Sequence, residues 1–438
     1  MPGKSTDSRS MPPAWRNWSG GQQAQPAAMQ VPRNEEELRR LVGAADNVRA
    51  VGAGHSFSAL VPTTGTIVSL DKLSGLISED DSTQQARLWA GTRLYEAGPL
   101  LHDIDQAMPN LGDVDRQSLA GALATATHGT GLNLPCIAAG ATALRLVTAT
   151  GDVVECSREQ DADLFHAAAV SLGMLGIVTQ ATLQNVPAFR LHERVHVQSL
   201  DSLLPEIDSL ARRHRNFELW AFPASRQAIV KTMDLTEQPP SGDVQSADSD
   251  DFALKLGCEL TRWLPPLGRG LQSMIGRVLR PTERVNWSHQ IYPSARNVRF
   301  NEMEYQVPVE SAVACLDEAC RAVVNSGVNV FFPIEFRLVA PDNYWLSPFQ
   351  GQAGAARCSI SVHQYHKQDY RPLFAAAEPI LRRHRGRPHW GKLNTADVAQ
   401  LRELYPDLGR FLRLRAELDP RGKFLNPYLR TLFGIATS

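Results

Sequence analysis

Two glycine-rich segments in the first third of the chain have the composition of a nucleotide-binding surface. The first, RAVGAGHSFSAL, covers residues 49–60 and places Gly52, Gly54 and His55 in a turn that follows a β-like run. Glycines allow main-chain N–H groups to approach a pyrophosphate closely. The Rossmann pattern is not met, because Phe57 stands where the third glycine of GxGxxG would fall. For this segment alone, a plain tight turn is the alternative.

The second segment, NLGDVDRQSLAGALATATHGTG, covers residues 110–131 and is dominated by small side chains. Such side chains leave amides and hydroxyls uncovered, so a large planar ligand could lie against them. A tightly packed, Ala-rich helix is the alternative, since small residues also permit close helix packing. The presence of both segments in one chain favours the ligand.

Charged motifs in the second half of the chain could recognise a polar substrate. Glu335 and Arg337 lie two residues apart in IEFRL, so on a strand they point to one face and could bind neighbouring hydroxyls. An ordinary surface ion pair is the alternative. His363 and His366 in SVHQYHK could form a metal pair, but no further ligands accompany them at suitable spacing. We therefore predict no metal site.

A mixed α+β chain must position these motifs. A helix is predicted near residues 35–45, where Asn34 precedes apolar residues at helical spacing. Short β-like runs separated by Gly, Asp and Ser turns follow, and a second domain with longer runs begins near residue 190. The predicted strands are 49–52, 66–70, 87–90, 143–148, 152–155 and 176–183, and the predicted helices are 93–108 and 201–214.

The second domain contains two unusual stretches. Residues 234–251 carry six acidic and no basic side chains amid Pro, Gly and Ser, which predicts a mobile surface loop. Beyond it, an apolar stripe bracketed by arginines predicts a basic amphipathic helix. Packing of this helix onto its own domain is favoured over contact with a membrane surface. The stripe consists of Leu271, Met274, Ile275, Val278 and Leu279, with Arg269, Arg277 and Arg280 beside it.

Composition narrows the possible functions. The chain has 438 residues, enough for two or three domains, and its 45 Lys and Arg residues against 46 Asp and Glu residues give a net charge of −1. This balance provides no field that would attract nucleic-acid phosphates or anionic lipids. The six cysteines include no CxxC pair and are expected to be reduced. Neither a secretory signal nor a membrane-spanning stretch is recognised, so a cytoplasmic location is expected.

Together, GHSFS and QSLAGALATATHGTG resemble the FAD-binding domain of the vanillyl-alcohol oxidase superfamily. Four C-terminal motifs are similar to its sugar-1,4-lactone oxidase and alditol oxidase branch: RNVRFNEMEYQVPVE, IEFRLVAPDNYWLSP, RPHWGK and DPRGKFLNPYL. The resemblance runs from about Trp15 to Leu432. It implies an α+β flavoprotein with an N-terminal arm at 1–24, an FAD-binding domain with two small sheets at 25–187, and a substrate domain at 188–438. The substrate domain is expected to be an antiparallel sheet flanked by helices.

The resemblance also implies roles for individual residues. His55 corresponds to the histidine that family members join through a ring nitrogen to the 8α-methyl group of FAD, and no cysteine lies between His55 and Cys136, which implies a single covalent link. The implied cofactor-binding residues are Gly52, Ala53, Gly54, His55, Ser56, Ser118, Gly121, Thr125, His128, Gly129, Ile177 and His389. The implied catalytic residues are Lys392, Glu335, Arg337 and His363. The implied substrate-binding residues are Ser118, Glu335, Arg337, Tyr365 and Lys392.

The activity implied by the resemblance is oxidation of a secondary hydroxyl of a sugar 1,4-lactone. Hydride would pass to flavin N5 and molecular oxygen would be reduced to hydrogen peroxide, while Lys392 stabilises negative charge on the flavin and on the substrate oxygen. Alditol oxidases place a His-x-Thr pair near the substrate, but here Tyr365 stands two residues after His363, which disfavours linear polyols. Three alternatives remain: an alditol oxidase, a dehydrogenase that reduces a quinone or cytochrome, and a non-catalytic flavin- or sugar-binding protein.

Overall fold

A computed structural model describes residues 14–242, 247–264, 266–294 and 297–436. The predicted arm up to residue 13 and residues 243–246 of the predicted acidic loop lie outside the described residues, as do the side chains of Arg269, Ile275, Arg277 and Val278 in the predicted stripe. The strands are β1 (Trp15–Arg16), β2 (Gln23–Ala24), β3 (Ala28–Gln30), β4 (Val48–Val51), β5 (Thr66–Ser69), β6 (Leu76–Asp80), β7 (Gln85–Trp89), β8 (Gln106–Ala107), β9 (Ala141–Val147), β10 (Val153–Ser157), β11 (Ile177–Gln184), β12 (Val186–Pro187), β13 (Arg190–Ser199), β14 (Asn216–Phe222), β15 (Gln227–Thr236), β16 (Thr282–Trp287), β17 (Phe300–Pro308), β18 (Ile334–Val339), β19 (Arg357–Tyr365) and β20 (Arg387–Pro388). The α-helices are α1 (Glu35–Ala44), α2 (Leu94–His102), α3 (Leu119–Ala124), α4 (Ala162–Ala168), α5 (Leu200–Leu203), α6 (Ile207–Arg213), α7 (Ala247–Trp263), α8 (Leu267–Val278), α9 (Ser288–Ile291), α10 (Val309–Asn325), α11 (Arg371–Arg383), α12 (Val398–Leu404), α13 (Leu408–Leu418) and α14 (Pro427–Phe433).

The first half of the chain forms the two predicted small sheets, together with two-stranded pairings of β1 with β2 and of β8 with β12. Strands β3, β5 and β4 make a parallel sheet in that order, and β10, β9, β11, β7 and β6 make an antiparallel one. Helix α1 begins where predicted, because the Asn34 side chain accepts a hydrogen bond from the Glu37 N–H at 2.8 Å. All six predicted strands are present. The predicted helix at 93–108 is too long, since α2 ends at His102 and the chain then enters β8.

The second half is organised around an eight-stranded sheet in the order β16-β13-β15-β14-β18-β19-β17-β20, in which every pairing is antiparallel. Alternate residues of each strand face opposite sides. One face is apolar and packs on α10 and α11 through residues such as Phe336, Leu338 and Ile360. The other face carries buried charged residues, among them Glu302 and Glu335. The predicted α+β class, with an antiparallel sheet flanked by helices, is confirmed.

The C-terminal helices pack with the first half of the chain. Tyr405 and Phe433 belong to the same apolar core as the buried residues of β7 and β9. The Val48 N–H donates a hydrogen bond to the Lys423 carbonyl at 2.9 Å, and the Asn426 side chain donates to carbonyls within residues 59–62. The domain boundaries at residues 24 and 187 remain a prediction. In the folded structure, the C-terminal helices pack as part of the first domain.

The acidic stretch 234–251 is not one loop, which corrects the prediction. Strand β15 continues to Thr236 because it pairs with β13 as far as Arg190, and α7 begins at Ala247 and buries Cys258. Helix α8 packs partly on its own domain, through Leu271, while Met274 stays half exposed. Within the described residues, no helix combines the length and apolarity needed to cross a membrane. All six cysteines are free.

Candidate active site

A cleft of about 1050 Å³, part of it open to solvent, runs through the first domain. It is lined mainly by three segments of main chain, at residues 49–61, 117–125 and 171–178. The two glycine-rich segments meet here, because a Cβ atom at Gly52 would collide with the Ser118 hydroxyl. Gly54 has a φ of +69°, a backbone conformation that favours glycine. Small residues therefore expose main chain along the cleft, as a long ligand with planar and anionic parts requires.

Nine of the twelve residues predicted to bind the cofactor line this cleft. Ser118 caps α3 by accepting the Gly121 N–H at 3.3 Å, and the Thr125 hydroxyl donates to the Gly121 carbonyl at 3.0 Å. These contacts fix the conformation of the small-residue segment at the start of α3 and along its length. The residues present thus fit FAD. The nine are Gly52, Ala53, Gly54, His55, Ser56, Ser118, Gly121, Thr125 and Ile177.

His55 lies in the cleft with its ring stacked on Trp18, the two centroids 5.4 Å apart. The hairpin of β1 and β2 places Trp18, whose N–H donates to the Gly54 carbonyl at 2.8 Å. Burial lowers the pKa of His55 to about 4, and the nearby cations Lys392 and Arg93 act in the same direction. The imidazole is therefore neutral at neutral pH, with one ring nitrogen unprotonated.

Lys392 is held where the sheet of the second domain meets the turn that carries His55. Its Nζ atom lies 2.5 Å from Oε2 of Glu302, 3.8 Å from Oε2 of Glu304 and 5.2 Å from the ring centroid of Phe57. Burial acts to raise the pKa of Glu302, but Lys392 and His363 outweigh it and hold that pKa at about 2. The site thus contains an ammonium group anchored by buried carboxylates.

The other predicted catalytic residues lie on the same face of the sheet. Nε2 of His363 is 3.5 Å from Oε1 of Glu302. Glu335 is buried, accepts a hydrogen bond from the Trp220 indole at 2.8 Å and pairs with Arg337. These positions place Glu335 and Arg337 on one face as predicted, and their burial disfavours the alternative of a surface ion pair.

A second layer of charges supports Arg337. Its Nε atom donates to Glu218 at 3.1 Å, and Nη2 donates to Asp113 at 2.9 Å. Lys231 lies 2.8 Å from Glu218 and 3.5 Å from Glu193. Because Asp113 belongs to the first domain, this network also joins the two domains. Buried ion pairs with additional hydrogen bonds fix the orientation of their members.

His128, Gly129 and His389, predicted to bind the cofactor, do not line the cleft but lie beside Lys392. The His128 ring is 2.7 Å from Oε1 of Glu304, and its Nδ1 atom is 2.8 Å from the Gly129 carbonyl. The His389 ring is 5.9 Å from that of His128 and accepts the Gly391 N–H at 3.0 Å. Burial lowers the pKa of His389 to about 4, so the ring is neutral.

Tyr365, predicted to bind substrate, is directed elsewhere. Its hydroxyl donates a hydrogen bond to Glu259 of α7 at 2.7 Å, and its ring packs with Phe331 in a separate apolar cluster. The helix α7 covers this end of the sheet, so the structure does not bring Tyr365 to Lys392. The motif SVHQYHK gave no indication of that helix.

Sequence reasoning missed several residues that shape the site: Trp18, Phe57, Glu302, Glu304, Trp220 and Asp113. A signal existed for two of them. Glu302 and Glu304 are two residues apart in NEMEYQ, the same alternation that singled out Glu335 and Arg337. The others come from segments that only the folded chain brings together.

The glycine-lined cleft and the charged face of the eight-stranded sheet define an FAD-binding oxidoreductase. Residues 26–157 match the family model described as an FAD binding domain, and residues 181–432 match that of D-arabinono-1,4-lactone oxidase. The chain therefore belongs to the D-arabinono-1,4-lactone oxidase family of FAD-dependent flavoproteins. The family resemblance identified from the sequence motifs is confirmed.

Curated relatives span nearly the whole chain. An L-gulono-1,4-lactone dehydrogenase of Mycobacterium tuberculosis is 37% identical over 433 residues, covering 97% of this chain and 100% of the relative. An L-gulonolactone oxidase of Bos taurus is 30% identical, covering 96% and 98%. An alditol oxidase of a Streptomyces species is also 30% identical, covering 96% and 99%.

Solved structures share the fold. The cholesterol oxidase of Brevibacterium sterolicum superposes with a TM-score of 0.79 at 16% identity, covering 96% of each chain. A solvent-stable cholesterol oxidase gives a TM-score of 0.80 at 17% identity, covering 96% of this chain and 97% of the other. At such identities the similarity shows the architecture alone.

Proposed function

We propose that this enzyme oxidises a secondary hydroxyl of a sugar 1,4-lactone. The observation that carries the proposal is the contact of Lys392 with buried Glu302, which also contacts His363 and lies by the Glu335–Arg337 pair beside the His55 turn. A neutral, hydroxyl-rich ring offers donors to the carboxylate of Glu335 and acceptors to Arg337 and Lys392. The lactone-oxidising activities named for the relatives support this substrate class.

The residues of the chain bind and polarise the substrate. Lys392, held by Glu302, stabilises the negative charge that develops on the reacting oxygen, and Glu335 and Arg337 orient the neighbouring hydroxyls. FAD held by the segments at residues 52–56 and 118–125 would supply the redox chemistry, taking up the hydride from the substrate so that this hydride and the hydroxyl proton end on molecular oxygen as hydrogen peroxide. His363 and Ser118 contribute further polar contacts to the substrate in this proposal.

We also propose that His55 holds FAD through a single covalent bond. The lowered pKa of His55 supports this, because an unprotonated ring nitrogen is available for bond formation. Acid precipitation tests it: a yellow pellet is expected from the unmodified chain, whereas a white pellet under a yellow supernatant would refute the bond.

Two alternatives have support of their own. The alditol oxidase relative favours a linear polyol, and the mycobacterial dehydrogenase relative favours an electron acceptor other than oxygen. Anaerobic mixing with L-gulono-1,4-lactone, D-arabinono-1,4-lactone, xylitol and sorbitol, read by flavin bleaching, separates lactone from polyol oxidation. Reoxidation by oxygen compared with a dye then separates oxidase from dehydrogenase. If no lactone bleaches the flavin, the proposed substrate class is wrong.

A further inference from the structure

Arg49, in strand β4, is a buried cation bound only through main-chain carbonyls. Its side chain is 3% exposed. Nε donates to the Leu60 carbonyl at 2.8 Å, Nη2 to Leu172 at 2.7 Å, and Nη1 to Gly173 at 3.1 Å and Phe424 at 2.5 Å. The guanidinium therefore ties together three segments that are distant in sequence.

The charge of Arg49 has no counterion among the residues that the structure describes. Other buried cations of the active site do have a counterion. Lys231 lies 2.8 Å and Arg337 lies 3.1 Å from the carboxylate of Glu218. Burial alone lowers the pKa of Arg49, to about 10, and no neighbouring carboxylate opposes it. The group is still charged at neutral pH. Buried charges in proteins are normally paired, because an unpaired one is costly to desolvate.

The unpaired charge adjoins the cofactor cleft. Arg49 lines that cleft, as do Leu60, Leu172 and Gly173, whose carbonyls it binds. Among the described lining residues, no other Lys or Arg is present, and the carboxylate of Asp71 is paired with Arg93. The cleft therefore offers a bound anion one fixed positive charge in addition to main-chain N–H groups.

We propose that Arg49 supplies the counter-charge for the diphosphate of FAD, while its bonds to the segments at residues 60, 172–173 and 424 keep the cleft in the shape that the diphosphate requires. Arg49 is thus a positioning residue whose charge becomes paired when the cofactor binds. The inference rests on FAD binding, which the family shows, and is independent of the substrate. A structural clamp with no electrostatic role is the competing explanation.

Ligands with and without a diphosphate distinguish the two explanations. The full-length chain is prepared with the substitution His55→Ala, which removes the proposed covalent bond. It is freed of flavin and titrated with FAD and with riboflavin, and binding is measured by flavin fluorescence. In this background, Arg49→Met is expected to weaken FAD binding about tenfold more than riboflavin binding, since only FAD presents the anion. Arg49→Lys, which keeps the charge but loses the planar fork, is expected to retain the preference for FAD within about threefold.

Arg415 provides a matched control. It is also buried, its Nη1 atom donates to a main-chain carbonyl at 2.9 Å, and it does not line the cleft, so Arg415→Met is expected to leave the FAD-to-riboflavin ratio unchanged. Equal losses of FAD and riboflavin affinity in Arg49→Met would overturn the proposal in favour of a clamp. If Arg49→Met fails to fold, Arg49→Gln, which keeps hydrogen-bond donors without the charge, is titrated in its place. A loss of FAD affinity about tenfold greater than that of riboflavin supports the counter-charge, and equal losses overturn it.

Discussion

Replacement of Lys392 by Met removes the ammonium that the structure places between two buried carboxylates. If the ammonium stabilises charge on the reacting oxygen, its loss is expected to slow flavin reduction by roughly 10²–10³-fold, the effect typical of one preorganised donor. FAD is expected to remain bound, because Lys392 does not line the glycine-rich cleft. The measurement is anaerobic stopped-flow bleaching of the flavin at saturating lactone, with flavin content from absorbance.

The same substitution has a predicted effect on stability. Burial acts to raise the pKa of Glu302, but Lys392 and His363 hold it at about 2, well below its usual range, so this pairing stabilises the folded, ionised form. This contribution is complete above a pH of about 4.5 and is lost as the pH falls towards about 2. Without Lys392 much of it disappears, so Lys392→Met is expected to lower the melting temperature by a few degrees at neutral pH.

A surface ion pair provides the control for Lys392→Met. Lys367 pairs with Glu259, away from the cleft, and Lys367→Met is expected to leave the rate of flavin reduction unchanged. If Lys392→Met retains its FAD and reduces it within about threefold of the unmodified rate, Lys392 has no part in the chemistry. A slower rate that is matched by loss of FAD would assign Lys392 to cofactor binding instead.

Three further predictions concern other parts of the site. His55→Ala is expected to release all flavin into the supernatant on acid precipitation, and a pellet that stays yellow would place the covalent bond elsewhere. Glu335→Gln is expected to raise KM for the lactone about tenfold or more, because a charged hydrogen-bond acceptor is lost; unchanged steady-state kinetics would remove Glu335 from the substrate site. Lys231→Met leaves Glu218 buried with Arg337 as its remaining cation and is expected to cost about 3 kcal/mol in chemical denaturation, and a loss below 1 kcal/mol would contradict the role given to this pair.

The sequence predicts what depends on local periodicity. Helix α1 follows from the cap at Asn34 and the apolar spacing after it, and β18 follows from the alternation of Ile334 to Leu338. The shared face of Glu335 and Arg337 is a property of any strand, so it needs no tertiary information. Family motifs likewise led to nine residues that line one cleft.

Contacts between distant segments could not be predicted in this way. Glu302 and Lys392 are 90 residues apart, and Asp113 and Arg337 are 224 apart, so no local pattern connects either pair. Tyr365 is the opposite case, in which the sequence suggested a contact that the folded chain does not make. Resemblance to the family suggested that Tyr365 faces the substrate, but its hydroxyl donates to Glu259 of α7, a helix that begins within the predicted acidic loop and continues well beyond it.

The bonds that tie β4 and the following turn to residues 423–426 have a consequence for biosynthesis. Arg49 reaches the Phe424 carbonyl, and Asn426 reaches the loop at residues 59–62, so the walls of the cofactor cleft are fixed by chain that is translated 375 residues after Arg49. A nascent chain that still has these residues inside the ribosome has a cleft without one of its supports. Stable loading of the flavin is therefore expected only after these residues have left the ribosome, and a chain truncated before residue 419 is expected to be colourless.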